Sequence, residues 1–201
     1  MPLHRDYKGQ QCSLARSLEV IGERWTLLIV RDLFFGVRRF TELQAHLDIP
    51  RAVLSARLAA LVERGLVERR PYRAGRDEFV LTHCGIELWP VVHGLVRWGD
   101  RHFAGGPPRR LFAHADCGTE LDAPGRCPAC GIEPALADVE TRPAPGAPTA
   151  REDPVSRALR RPHRLLSRLE TTGSGSGSVH LNLPDRPGTD GKNPPLTPAP
   201  R

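Results

Sequence analysis

With 201 residues, 39% of them hydrophobic, the chain has room for one good-sized domain or for one small domain with appendages. Its net charge of +6 suits a polyanionic partner without identifying one, and no apolar run reaches the roughly 20 residues needed to cross a bilayer. The N-terminal MPLHRDYKGQQC lacks the apolar stretch of a secretory signal, so a cytoplasmic protein with no membrane partner is expected, its five cysteines serving as thiols or metal ligands.

Apolar residues crowd positions 12–103, and these positions read mainly as helices. Ser13 is a candidate cap for LARSLEVIG, which carries Leu14, Leu18 and Ile21 on one face and stops at Gly22. WTLLIVRDLFFG is apolar on nearly every side and is expected at the centre of a helical cluster. Thr41 followed by Gln44 predicts a capping box at the start of TELQAHL. Pro50 fits the first turn of another helix, in which Leu54, Leu58, Leu61 and Val62 form a core-facing stripe ended by Gly65. LVERRPY and EFVLT alternate as strands around a turn at Ala74 and Gly75. Thr82 then opens a long helix to about Phe103, with Pro90 as a candidate kink.

Composition changes after Gly105. Residues 109–132 carry a Cys/His cluster and form a small extension of their own. Residues 135–201 are rich in Pro, Gly and Arg, include GSGSGS at 173–178, and are expected to be largely disordered. Within them VSRALRRPHRLLSRLE has leucines at near-helical spacing and five arginines, but Pro162 interrupts it. It reads as a transient solvated helix or a nonspecific phosphate-binding arm.

Helix, turn, helix and two-stranded wing over residues 36–82 is the order a winged helix-turn-helix uses to place one helix in the DNA major groove. With the leucine stripe facing inward, Arg51, Ala52 and Ser55 at the start of the second helix are best placed toward base edges. Arg57, on the flank of the stripe, reaches either a phosphate or a nearby acid. Arg38, Arg39 and Thr41 precede the first helix and suit the DNA backbone, while Arg73 and Arg76 bracket the wing turn. Arg69 and Arg70 read as surface charges. Of the 29 basic residues only Lys8 and Lys192 are lysines. That bias favours phosphate and guanine edges but can equally follow genome base composition.

Cys12, ERWTLLIVRDLFFGVRRFTELQ, IPRAVLSARLAALVERGLVERRPY and FVLTHCGIELWPVVHGLVRWGDR, in this order, resemble the HxlR-type transcriptional regulators. The resemblance covers residues 12 to about 103. It implies a mainly α fold with a small β-wing: a winged helix-turn-helix with additional N- and C-terminal dimerisation helices. It also implies a homodimer on a palindromic site in double-stranded DNA, regulating nearby genes, with repression expected. Glu23 and Arg24 stand where many members have Gly-Lys, and the wing turn is short. Cys12 matches the position at which many members sense electrophiles or oxidants, and a helix start with Arg16 one turn on favours a thiolate. The alternative is a small apolar filler at the dimer interface, a packing role that also suits Cys84.

His114-Ala-Asp-Cys117-Gly and Cys127-Pro-Ala-Cys130-Gly have the form of paired zinc knuckles, each with glycine after its second ligand. One imidazole and three thiolates would close a tetrahedral structural site; DNA binding itself requires no cofactor. No enzymatic activity is expected, since the histidines are scattered, no glycine-rich phosphate loop occurs and the cysteine cluster would be fully ligated. Two rivals to a DNA-binding regulator remain: a winged-helix protein-interaction module and a regulator that responds to zinc.

Overall fold

The structure, a computed structural model, describes residues 7, 9–148 and 151–171. In chain order it forms α1 (Ser13–Ile21), α2 (Thr26–Phe34), α3 (Phe40–Leu47), α4 (Arg51–Glu63), β1 (Val67–Arg73), β2 (Arg76–Leu81), α5 (His83–Ile86) and α6 (Trp89–His102). Beyond these come β3 (Arg110–His114), β4 (Val139–Pro143), α7 (Pro154–Ala158) and β5 (His163–Arg164). This is a winged helix-turn-helix, mainly helical with a small β-wing, followed by an antiparallel sheet in the order β3-β4-β5. No helix among the described residues is long and apolar enough to cross a membrane.

Most of α2 is buried: Ile29, Val30, Leu33 and Phe34 lie in the core, Asp32 is buried with them, and Leu28 is exposed. Around it, α4 presents Leu54, Leu58 and Leu61 at i, i+4 and i+7, and all three are buried. Burying each contributes about 1.5–3 kcal/mol, which sets the face by which the helix docks. The opposite face is thereby left to solvent. The wing is anchored at its base, where the Phe79 N–H donates to the Arg38 carbonyl at 2.8 Å and Arg39 bridges to Glu78.

Three helix boundaries differ from expectation. Cys12, not Ser13, is the cap of α1. Arg39 rather than Thr41 takes the cap position of α3, and Glu42 rather than Gln44 reaches back, its carboxylate accepting the Arg39 N–H at 3.3 Å. The α1 cap lies one residue, and the α3 pair two residues, before the expected positions, a register that local patterns resolve poorly. The final helix is split rather than kinked. Thr82 caps only the short α5, accepting from the Gly85 N–H at 3.2 Å, and Pro90 sits in the first turn of α6 where it needs no donor.

The larger departure is beyond residue 132. The expected extension ends there, yet β3 pairs with β4 at residues 139–143, so the unit does not close within 109–132. Residues 151–171, expected to be disordered, bury Val155, Leu159, Leu165 and Leu169 against the helical core. The Leu166 N–H donates to the Phe34 carbonyl at 2.8 Å and the Leu169 N–H to Gly36 at 3.1 Å, so this strap lies along the end of α2. Gly36 permits it: φ is +75°, and a Cβ there would meet the Ser167 carbonyl oxygen at 1.7 Å. Residues 135–148 of the expected tail are likewise ordered and include β4, while the GSGSGS repeat and everything after residue 171 lie outside the described residues.

Candidate nucleic-acid interface and metal centre

Arg51 is the first residue of α4 and is exposed, its guanidinium 5.0 Å from the Phe40 ring centroid. Ala52 and Ser55 are exposed on the same stretch, because Leu54 and Leu58 turn the other way. The small side chains leave the helix start open to close approach. Arg73 and Arg76 are both exposed and lie directly opposite each other at the wing tip. Like charges facing across a strand pair repel, and an anion between them relieves the repulsion. Neither of them, nor Arg51, makes an ion pair with a carboxylate among the described residues.

The other expected contacts are differently placed. Arg57 pairs with the nearby acid Glu23 at 3.4 Å. Thr41 is exposed in the first turn of α3. Arg39 lies 5.1 Å from the Tyr72 ring centroid and 3.4 Å from Glu42. Arg38 is committed inward, to Glu78 at 3.4 Å and to the Leu166 carbonyl at 2.7 Å. Sequence reasoning missed Arg168, which approaches the same Glu78 at 3.6 Å and sits over Tyr72. Arg38 and Leu166 are 128 residues apart, and no local pattern signals such a contact.

His114, Cys117, Cys127 and Cys130 converge, all four ligand atoms lying within 4.8 Å of one another. Cys117 Sγ is 3.4 Å from His114 Nδ1 and 3.5 Å from Cys127 Sγ, and Cys130 Sγ is 3.4 Å from the same nitrogen. Tetrahedral zinc with ordinary bond lengths separates such atoms by about 3.6–3.8 Å, so the donor set fits the ion. Gly118 and Gly131 follow the second ligand of each knuckle at φ of +70° and +69°. Their N–H groups donate to the His114 and Cys127 carbonyls at 2.8 Å, closing the two turns. Asp116 lies 3.7 Å from His114 Nε2, the ring nitrogen turned away from the cluster.

The electrostatics of the cluster are split. The Thr119 hydroxyl and backbone N–H draw the Cys117 thiol down to about 6, while neighbouring Cys117 and Cys127 push Cys130 up to about 11. Three thiolates cannot share this space unless a cation offsets them.

Cys12 is exposed, and the backbone N–H groups of Ala15 and then Leu14 lower its pKa, as a helix N-terminus does. Arg16 is not its partner: that guanidinium binds Glu19 at 2.6 Å and the Tyr7 and Gln10 carbonyls. Cys84 is exposed as well, so it fills no core position in the isolated chain. Two rows of large apolar side chains are uncovered: Leu14 and Leu18 on α1, and Val91, Leu95 and Trp98 on α6 with Phe103 just beyond it, 72% exposed.

Residues 20–106 match the family model described as HxlR-like helix-turn-helix. The chain is 46% identical over 147 residues to Rv3095, an uncharacterized HTH-type transcriptional regulator of Mycobacterium tuberculosis, a match spanning 71% of this chain and 90% of that protein. A second relative, the uncharacterized HTH-type transcriptional regulator YvaP of Bacillus subtilis, is 35% identical over 86 residues, covering 41% of this chain and 80% of its own. Among solved structures, the crystal structure of PA1607, described as a candidate transcription factor, superposes with a TM-score of 0.54. It has 35% identity and covers 65% of this chain and 94% of its own.

Proposed function

Because the chain belongs to the HxlR-like helix-turn-helix family and is a transcriptional regulator with a helix-turn-helix DNA-binding domain, we propose that it acts as a homodimeric repressor on a palindromic operator. The observation carrying this reading is the pairing of two open features: the exposed start of α4 with Arg51, Ala52 and Ser55, and the opposed Arg73 and Arg76 of the wing. Arg51 would read a guanine edge, for which a two-pronged contact discriminates by about 1–3 kcal/mol. The wing pair would hold phosphates of the adjoining groove, with Thr41 and Arg39 on the backbone beside α3. Arg38 and Arg57 act indirectly, bracing the wing and the helix pair through Glu78 and Glu23. A protein partner would want an apolar α4 face; this one is small and cationic.

The uncovered α1 and α6 rows supply the dimer surface of the proposal, since large apolar side chains left exposed along two helices favour a partner that covers them. Zinc at His114, Cys117, Cys127 and Cys130 is proposed as structural, because four protein ligands leave no open position for chemistry. Cys12, with its lowered pKa, is the proposed redox-sensing thiol. No enzymatic step is part of the proposal.

Selection of binding sites from random DNA tests the main claim. Enrichment of inverted half-sites about one helical turn apart, with affinity falling steeply as salt rises, is the expected result. Recovery of no motif would overturn DNA recognition by α4, and direct repeats or single half-sites would overturn the two-fold dimer. Reporter transcription from the recovered site, with and without the protein, distinguishes repression from activation.

A further inference from the structure

Between the helix-turn-helix and the C-terminal sheet lies a cavity of about 700 Å³ that the DNA-binding reading does not use. Cavities of this size accommodate small organic molecules. Phe35, Val96, Phe112 and Leu159 supply apolar wall, and Asp100 is the only acid lining it among the described residues, against Arg31, Arg109, Arg110, Arg151 and Arg160. Several of these cations already have partners: Arg31 pairs with Asp32, Arg151 with Asp153 and Arg160 with Glu152. Arg110 has no carboxylate among the described residues. It donates to the Leu159 carbonyl at 3.0 Å and the Thr141 hydroxyl at 2.9 Å, leaving Nη2 buried and unpartnered. Its guanidinium and that of Arg31 lie 5.3 and 5.8 Å from the Phe35 ring centroid, two cations about one aromatic side chain. Burial and the charge of Arg31 together lower the Arg110 pKa to about 10, the cost of a cation held without an anion. Asp100 Oδ2 is the other unpartnered buried atom on this lining, an acceptor available to a donor group of the same occupant.

The cavity also touches the recognition unit. Asp32 is fully buried and accepts from Arg31 at 2.7 Å through one oxygen and faces His46 Nδ1 at 2.7 Å through the other. Arg31 and His46 both line the cavity, and His46 lies in the last turn of α3. An anion that draws on Arg31 must therefore redistribute the charge that Asp32 shares with α3.

We propose that this cavity binds a small organic anion with an apolar body, and that the Arg31–Asp32–His46 chain reports its presence to α3. The binding claim stands without DNA, and only the consequence for transcription rests on the function proposed above.

Gly99 offers a clean variant. It lines the cavity from α6, and a Cβ added to it meets nothing within 4 Å, so the side chain of Gly99→Leu starts from that lining without a clash at its first atom. The full chain is titrated calorimetrically with 1-naphthoate and with the neutral 1-naphthamide, each to about 1 mM. The expected result is binding of the acid, at least tenfold weaker binding of the amide, and loss of acid binding in Gly99→Leu with its melting temperature retained. In parallel, the ring resonances of His46 move on titration in the wild type and stay fixed in the variant. No heat from the acid, equal affinity for acid and amide, or unchanged binding in Gly99→Leu overturns the anion cavity. Acid binding that leaves His46 unmoved overturns the coupling to α3. Site selection on DNA succeeds or fails independently of each of these outcomes.

Discussion

Arginine is used in opposite ways at the two ends of this molecule. At the start of α4 and the tip of the wing, Arg51, Arg73 and Arg76 are exposed and make no ion pair among the described residues. In the C-terminal segment, Arg164 is spread over Asp138 and Asp116, Arg168 reaches Glu78, and Arg110 is buried against two internal acceptors. Net charge alone does not separate the two regions. What a guanidinium already holds decides whether it is available to DNA, and Arg164 and Arg168 of the C-terminal region are already held by acids.

The largest test of that contrast removes the proposed metal. Cys127 is the fully buried ligand, and Cys127→Ser is expected to abolish zinc binding and unfold residues 110–143. The loss should be a substantial part of the roughly 10 kcal/mol that structural zinc contributes in small metal-folded peptides. Metal analysis of the wild type should give one equivalent per chain, and limited proteolysis of the variant should cut first within the knuckles. Less than about 0.2 equivalents in the wild type would exclude a structural zinc site.

Next is Leu165→Ala, a cut of one fully buried side chain in the strap. If residues 151–171 belong to the fold, the substitution costs about 2–5 kcal/mol and lowers the thermal midpoint. A disordered tail predicts no change. The parallel substitution Arg168→Ala should leave the salt dependence of DNA binding untouched, since that cation is turned toward Glu78.

How much of this was legible in the residues follows the range of the interactions. The α4 stripe and the hairpin were readable because both are local periodicities: Leu54, Leu58 and Leu61 repeat within one helix, and Ala74-Gly75 joins adjacent strands. The metal cluster was readable for the same reason, as two short turns each carrying its own spacing. The strap was not. Its buried residues, Val155, Leu159, Leu165 and Leu169, share no single helical face once Pro162 intervenes, and Phe34 and Gly36, which accept from Leu166 and Leu169, are far upstream. Arg38 was expected to contact DNA because nothing nearby announced Leu166. The cavity beside α2 exists only because the strap closes one side of it, so it too was invisible.

Arg51→Ala is expected to weaken operator binding by about 1–3 kcal/mol and to relax preference at one base pair. Arg76→Ala should weaken specific and nonspecific DNA alike and reduce the salt slope by about one. Base preference unchanged in Arg51→Ala would move the specificity to another part of the head. A trimmed dimer surface is the companion test: Trp98→Asp on the exposed α6 face should give a monomer by sedimentation, with binding to inverted half-sites reduced toward that of a single half-site.

The smallest expected effect concerns Cys12, and it separates a reactive thiol from a filler. The folded pKa is lowered because the Ala15 and Leu14 N–H groups favour the thiolate over the thiol. A group with a depressed folded pKa adds stability above its unfolded pKa and loses it as pH falls through the folded value. The thiolate therefore persists to lower pH in the folded chain than in the unfolded one. Alkylation of Cys12 by iodoacetamide, followed by mass spectrometry of the labelled peptide, should reach half its maximal rate at a pH below that of the urea-unfolded protein. Coincident profiles would remove the helix start as an activator. A profile that is shifted in the Trp98→Asp variant but silent in the wild type would mean that the α1 surface is covered in the dimer, making Cys12 an interface residue rather than a sensor.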